Sequence, residues 1–561
     1  MNDERGLFPA PKATLSSETL ALWRKGIGGF QERTFPGSET SAALRRDVPG
    51  LKSLFYTTET AFDSESSQPR SFAFSTSFGD LARSLRRLLG TLKPDPFALM
   101  QYLLFGRVFA PRTLLAGIRK LSPGETLIRD ERTGNIQVRR CRRPWATDGG
   151  VWFEALERSL AACLREIPDE HLGVALSGGV DSSLLTALAV KKFDRKPQLL
   201  CLGIPTQGYD ERKYAEAAAR HCGLPLETAL LDGNPVDLLR DVWPTMDEPL
   251  GDTSVINGLI LGRAARARSL RVLLSGEGGD ELFGGYHAYR VQRTAARCGG
   301  WVGKLAARCS PPAGFWDGLN PNQGKRGWRN SLRALLAGFA WPAAWEHLRW
   351  QAALSPRALA DFCGVERVEA TLQDVAATLA EWDRVTDEAR VSPFAESKTM
   401  LGLRMRARDV QGSLPDWLLP KADAWSRANG VQMRFPFLSP EIIGAALGLA
   451  DEELWGRGGA KGSGGKKAIL EHYGPLLPQE TVRRKKEGFS APFKIWLRTD
   501  DRLCAYLIQD LFSDGGPLEF WEISPAAARK WTNAHRRGTA DRALAVFSLA
   551  VLAGWTQHNF S

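Results

Sequence analysis

The residues best suited to chemistry are Ser177-Gly178-Gly179-Val180-Asp181-Ser182-Ser183. An apolar run, Val174 to Leu176, leads in and a helix-like run, Leu184 to Val190, leads out. Glycines let the backbone approach a ligand with no Cβ in the way. A helix start offers unpaired N–H groups and a positive dipole end, which suit an anion such as pyrophosphate. Ser177, Ser182 and Ser183 add hydroxyl donors. Asp181 alone would repel phosphate, so its expected partner is a Mg²⁺ ion shared with the phosphates. A second loop, Leu274 to Tyr286, packs five glycines and the carboxylates Glu277, Asp280 and Glu281 into thirteen residues. Such loops at strand ends take ligands. A third stretch, Thr481 to Phe493, carries Arg483, Arg484, Lys485 and Lys486 just before Gly488-Phe489.

Both glycine loops follow apolar runs that read as strands, Gly173–Leu176 and Arg271–Leu274. A further strand is expected over Leu199–Ile204, and helices over Val151–Arg165 and Glu211–Cys222, the latter stopped by Gly223. Strands alternating with helices predict a parallel sheet covered on both faces, with ligands beyond the carboxyl ends of its strands. Before this unit, Ser71–Ser77 alternates like a half-buried strand and Asp95-Pro96 reads as a helix start. Thr126–Arg129 and Ile136–Arg139 read as a hairpin around Thr133-Gly134-Asn135. Leu20–Trp23 and Leu51–Phe55 are candidate short elements, and Thr57–Arg70 a polar linker. Pro144 and Gly149-Gly150 suggest a boundary, giving domains 1–148 and 149–561. From about 290 to 400 the chain is helix-rich, its tryptophans suiting core packing more than base stacking.

The 561 residues allow a large core and more than one domain. The eight cysteines form no Cys-x-x-Cys pair, which argues against a zinc site or a disulfide framework and, with no leader-like segment, for a reducing cytoplasm. The longest apolar run, Ala543–Trp555, is too short to span a bilayer and predicts a buried C-terminal helix. The net charge of +11 permits polyanionic ligands or an acidic peptide without demanding nucleic acid, and no nucleic-acid partner is expected. The clusters Arg263–Arg271 and Arg404–Arg408 read as solvated helix faces.

The first loop resembles the Ser-Gly-Gly-x-Asp-Ser signature of the PP-loop ATP pyrophosphatases, which split ATP into AMP and pyrophosphate. With Gly-Glu-Gly-Gly-Asp-Glu-Leu-Phe-Gly-Gly-Tyr at 276–286 and Lys-Glu-Gly-Phe-x-x-Pro at 486–492, it is similar to the synthetase domain of the asparagine synthetase family. Gly208-Tyr209-Asp210-Glu211 resembles the family's segment after its second strand, Gly430 to Leu438 resembles its helix entry, and residues 71–145 resemble the later half of its glutaminase domain. The resemblance implies an α/β protein: a degenerate glutaminase-like Ntn-type α+β domain, then a PP-loop α/β synthetase domain with a parallel sheet and extra C-terminal helices. It implies ATP and Mg²⁺ as cofactors. Adenine would lie near Leu176 and Leu202, with backbone contacts from Ser275 and Gly276. Pyrophosphate would lie on Ser177, Gly178, Gly179, Ser182 and Ser183, and Mg²⁺ on Asp181 and Asp280. Glu277 would serve as base, and Lys486 as a fixed charge over the phosphates or the developing oxyanion.

One departure bears on the reaction. The family's glutaminase uses a cysteine directly after the initiator Met, but Asn2 stands here and no cysteine precedes Cys141. Asparagine cannot form the thioester, so nitrogen is expected from free ammonia or from an amine already on the substrate. Among relatives without the cysteine, β-lactam-forming members pair a Tyr with a Glu where this chain has Glu277 and Gln432. Lasso peptide macrocyclases fit better; they join an Asp or Glu side chain of a precursor peptide to its N-terminal amine. A leader-binding protein and a leader protease are then possible partners. An ammonia-using asparagine synthetase-like enzyme, a tRNA-modifying PP-loop enzyme and an inactive peptide-binding scaffold are the alternatives.

Overall fold

The computed structural model describes residues 6–8, 41–57, 72–130, 136–140, 151–206, 208–297, 343–354, 356–363, 365–388, 400–456, 465–484 and 489–560. Its strands are β1 (Gly6–Phe8), β2 (Ser41–Arg45), β3 (Phe55–Thr57), β4 (Phe72–Ser75), β5 (Ile118–Lys120), β6 (Glu125–Asp130), β7 (Ile136–Arg140), β8 (Leu172–Ala175), β9 (Gln198–Gly203), β10 (Leu226–Leu230), β11 (Val272–Leu274) and β12 (Gln432–Arg434).

The last five form one parallel sheet in the order β10-β9-β8-β11-β12. The expected strands at β8, β9 and β11 are present, bracketed by the helices Trp152–Leu164, Val180–Lys191 and Arg212–His221. The edge strands β10, with Glu227 and Thr228 at its centre, and β12, with Gln432 and Arg434 at its ends, were not predicted. The segment 430–438, expected as a helix entry, leads into the helix Pro440–Leu447 through the short turn Pro436–Leu438, and its first part, Gln432–Arg434, pairs with β11. Leu172, Val174, Leu199, Val272 and Leu274 are buried, because this sheet is covered on both faces.

Ahead of this sheet lie two antiparallel sheets, ordered β1-β4-β3-β5 and β2-β6-β7. The hairpin read at 126–139 is β6 paired with β7. Asp95 caps the helix Pro96–Phe105 by accepting N–H bonds from Phe97 and Ala98 at 2.9 and 3.0 Å, and the fixed φ of Pro96 favours that start. Leu20–Trp23, the linker beyond Thr57 and the 144–150 boundary lie outside the described residues.

The apolar run near the C-terminus forms the helix Ala543–Phe560, buried almost throughout. It joins the N-terminal and C-terminal parts into one core: Trp555 stacks on Phe78 at 5.5 Å, and the Tyr102 hydroxyl donates to the Ser548 carbonyl at 2.7 Å. Each large apolar side chain buried here contributes roughly 1.5–3 kcal/mol. Trp345, Trp521 and Trp555 are fully buried, as core packing required. The Arg404–Arg408 cluster does not form a solvated face. Arg406 is fully buried and donates to the carbonyls of Leu282, Ala446, Leu447 and Leu449, and Arg408 pairs with Asp383 at 2.7 Å. Arg406 thereby satisfies carbonyls at the carboxyl end of the helix Pro440–Leu447, a task that spacing alone does not reveal.

Candidate active site

The two glycine loops meet above the carboxyl ends of β8 and β11. Strand β8 ends at Ala175, Leu176 bonds back to the Leu200 carbonyl, and the chain turns through Gly178 at φ +68° into the helix Val180–Lys191. A side chain at Gly178 would strike the backbone of Tyr214 and Ala215 at 2.3–2.4 Å. Glycine is therefore required there both for its conformation and for its size. The Ser177 hydroxyl accepts the Gly179 N–H at 3.2 Å and lies 3.2 Å from the Ser182 hydroxyl. Ser183 is buried, and its hydroxyl has no hydrogen-bond partner among the described residues. Leu176 is buried, while Leu202 lies half-buried on the adjacent strand β9.

The second loop leaves β11 at Ser275, whose N–H bonds to the Arg434 carbonyl at 3.0 Å. It turns at Gly278, φ +95°, into the short helix Gly279–Phe283. A Cβ at Gly276 would lie 2.8 Å from that of Asp181, and one at Gly279 would lie 2.3 Å from an Asp181 oxygen. The missing side chains are what let the second loop lie directly on Asp181.

Lys466, which the sequence reading did not single out, completes this junction. Its ammonium is paired with Asp181 and lies 2.6 Å from Asp280 Oδ1. Burial opposes its charge, but the two carboxylates outweigh that and raise its pKa. The two aspartates therefore face one cation position. Mg²⁺ is commonly held by one or two carboxylates, with water and phosphate filling its other positions. Among the described residues no cluster of three or more His, Cys, Asp or Glu forms a fuller cage. Asp181 and Asp280 thus fit the expected ion.

Glu277 accepts a hydrogen bond from the Ser275 hydroxyl. Desolvation pushes its carboxyl above the usual glutamate range; Lys421 opposes this, while Asp181 and Asp280 add to it. Lys421 is held by Asp252 at 2.9 Å and the Ser254 hydroxyl at 2.7 Å. Next to Asp280, the fully buried Glu281 accepts the Gly278 N–H at 3.0 Å and the Tyr286 hydroxyl. Desolvation, then the charge of Asp280, raises its pKa to about 7.

From the third stretch, Arg484 donates to the Ser177 carbonyl at 2.9 Å, pairs with Glu211 and lies over the Tyr214 ring at 4.5 Å. Thr481 donates to the Gly178 carbonyl at 3.3 Å. Lys486 lies outside the described residues. Of the expected site residues, Leu176, Ser177, Gly178, Gly179, Asp181, Ser182, Ser183, Leu202, Ser275, Gly276, Glu277 and Asp280 all lie on β8, β9, β11 or the two loops at that sheet edge. Lys421 and Lys466 were missed because each is distant in sequence from the loops. The only available signal was a lysine beside the Gly-rich 456–465 stretch, and such lysines are usually solvated.

Comparisons with known proteins identify the family. The asparagine synthase family description matches residues 152–557. An asparagine synthetase (glutamine-hydrolysing) of Bacillus subtilis is 26% identical over 471 residues, covering 81% of this chain and 66% of that protein. Asparagine synthetase B of Escherichia coli is 31% identical over 158 residues, 25% of this chain and 27% of that one. The chain belongs to the asparagine synthase family, ATP-dependent ligases that form carbon–nitrogen bonds and release AMP.

Proposed function

We propose that this chain closes a macrolactam in a precursor peptide, as lasso peptide cyclases do, by activating an Asp or Glu side chain as an acyl-adenylate and joining it to the peptide's N-terminal amine. The observation that carries the chemistry is the junction of the two loops, where Asp181 and Asp280 face one cation and Glu277 lies on the same turn. The Gly178-Gly179 turn and the start of the helix Val180–Lys191 hold the pyrophosphate portion of ATP, with Ser177 and Ser182 as hydroxyl donors. A Mg²⁺ ion on Asp181 and Asp280, when bound, neutralises charge that moves onto the leaving pyrophosphate. Without the ion the Lys466 ammonium fills the same position between the two aspartates, and Lys486 adds a fixed positive charge by resemblance.

The substrate carboxylate oxygen attacks the α-phosphorus, and the bond to the pyrophosphate oxygen breaks. The amine then attacks the activated carbonyl. Its C–O bond to phosphate breaks, AMP leaves with the former carboxylate oxygen, and Glu277 takes the ammonium proton. The raised affinity of Glu277 for protons suits that role, while Lys421 keeps the carboxylate accessible.

Three features bear on the nitrogen source and on the substrate. Residues 1–140 contain no cysteine, the nucleophile by which the family's glutaminase releases ammonia. Glu277 and Gln432 differ from the Tyr–Glu pair of the β-lactam-forming branch. The positive net charge suits an acidic peptide. A leader-binding protein and a leader protease are the partners this reading implies, and residues 1–148 are its degenerate glutaminase-like domain. A second reading, asparagine-type synthesis from aspartate and ammonia, is favoured by what the Bacillus subtilis relative is named for.

The test is incubation with ATP, Mg²⁺ and the precursor peptide encoded beside the gene, followed by mass spectrometry. Loss of one water from the peptide with equal AMP formation supports ring closure. Conversion of aspartate and ammonium, with the peptide untouched, selects the second reading. AMP formed only with RNA selects a tRNA-modifying enzyme, and no AMP with any of them leaves a binding scaffold.

A further inference from the structure

Two described stretches of the N-terminal region, 41–57 and 72–130, contribute three almost fully buried cations, Arg46, Arg107 and Lys120. All three reach one segment, the ten-residue π-helical stretch Asp409–Leu418. Arg46 donates to the Pro415 carbonyl at 3.0 Å and to the Leu121 carbonyl at 2.6 Å. Arg107 lies 3.3 Å from the Ser413 hydroxyl and stacks over Trp417 at 4.5 Å. Lys120 lies 3.2 Å from Asp416 and 2.8 Å from Glu248, and also donates to the Val108 carbonyl. Long π-helical stretches are rare, and those that occur cluster at functional sites. This one is buried, interrupted by Pro415 and tied down by groups from outside its own helix.

Each carboxylate that pairs with Lys120 sits shortly before a member of a second cluster. Four residues after Glu248 comes Asp252, then Ser254; five residues after Asp416 comes Lys421. Lys421 itself bridges these same two segments, at 2.9 Å to Asp252 and 2.7 Å to Ser254. Two lysines thus pin the same pair of segments together, one from the N-terminal region and one from within. Lys421 is also the positive charge that acts most strongly on Glu277. By contrast, the phosphate-side groups hang from the ends of β8 and β11, and Lys120 bonds instead to Val108, Glu248 and Asp416.

We infer that residues 41–57 and 72–130 form a buried clamp in which Lys120 is a positioning residue, setting the Lys421–Asp252–Ser254 cluster beside Glu277 and so the amine-transfer step. The step-specific part of this inference rests on the amide-forming function proposed for the site; the clamp itself does not.

The experiment compares Lys120→Met and Lys120→Arg with the wild-type full chain. ATP–pyrophosphate exchange and amide formation are measured with the neighbouring precursor peptide, and separately with aspartate plus ammonium. Acetylation of Lys421 by an activated acetate ester is followed by mass spectrometry on the same proteins. Lys120→Met is expected to keep exchange within about twofold, lower amide formation about tenfold and raise Lys421 labelling severalfold, with Lys120→Arg restoring most of each. Equal loss of both activities, or unchanged amide formation in a folded Lys120→Met protein, overturns the step assignment. If the wild type makes no amide with either probe, the proposed function fails, and the labelling decides the clamp alone: unchanged labelling refutes it, raised labelling upholds it. Should Lys120→Met not fold, Glu248→Gln, which removes one of the two paired charges, is read by the same criteria.

Discussion

Replacing Lys466 with methionine exposes the electrostatics on which the site depends. The Lys466 ammonium sits 2.6 Å from Asp280 and closer still to Asp181, so the two carboxylate oxygens are at most about 5 Å apart. At an effective dielectric near 20, two like charges at that distance repel by about 3 kcal/mol. The side chains of the three residues keep 11%, 13% and 18% exposure, so solvent softens the repulsion. A net loss of roughly 1–3 kcal/mol is then expected when the ammonium is removed in metal-free buffer. Methionine approximates the length of lysine, so packing changes little. The assay is thermal unfolding of wild type and Lys466→Met, with chelator and with millimolar Mg²⁺. The variant should melt a few degrees below wild type in chelator. Mg²⁺ should restore much of that gap while shifting the wild type less, since an ion that binds only the folded state stabilises it. Equal melting of both proteins, with and without Mg²⁺, would show that Asp181 and Asp280 do not share a cation position.

Asp181→Ala should abolish AMP formation while leaving the circular dichroism spectrum unchanged; full activity in that variant would remove the metal assignment. Gly178→Ala places a Cβ against the Tyr214 backbone in a left-handed conformation, so it should lower both melting temperature and AMP release, and a fully active, equally stable variant would contradict the packing. Glu281 holds its proton to about pH 7 in the folded protein. Because that value lies above the unfolded one, the folded state binds more protons between them. Stability in metal-free buffer should then fall as pH rises from about 5 to 7 and level off above, by at most about 3 kcal/mol. Glu281→Gln should flatten that slope, which denaturant titrations across the range can check. Glu277→Gln should spare ATP–pyrophosphate exchange and depress amide formation, and the wild-type amide rate should fall with acid at a pH above the ordinary glutamate range.

The central strands were legible because they are short apolar runs followed by glycine turns. Val174 to Leu176 and Val272 to Leu274 admit few other readings. The same pattern placed Asp181 and Asp280 on one sheet edge, since both loops leave parallel strands at their carboxyl ends. What the sequence hid came from tertiary pairing. Lys466 and Lys421 matter only because folding carries them to carboxylates far away in the chain, and neither sits in a recognisable spacing. Arg406 and Arg408 looked like a solvated helix face because a basic run usually is one; only the surrounding carbonyls and Asp383 explain their burial. The edge strand Gln432–Arg434 was not anticipated because its polar residues carry no strand signature without β11 beside it.

The account turns on a carboxylate oxygen becoming part of AMP. The most direct measurement uses a substrate whose acceptor carboxylate carries ¹⁸O, with phosphorus NMR of the products. One labelled oxygen in AMP, unlabelled pyrophosphate and an amide in equal amount are predicted. Label in inorganic phosphate, accompanied by ADP, would mean that the γ-phosphorus is attacked instead and would contradict the account.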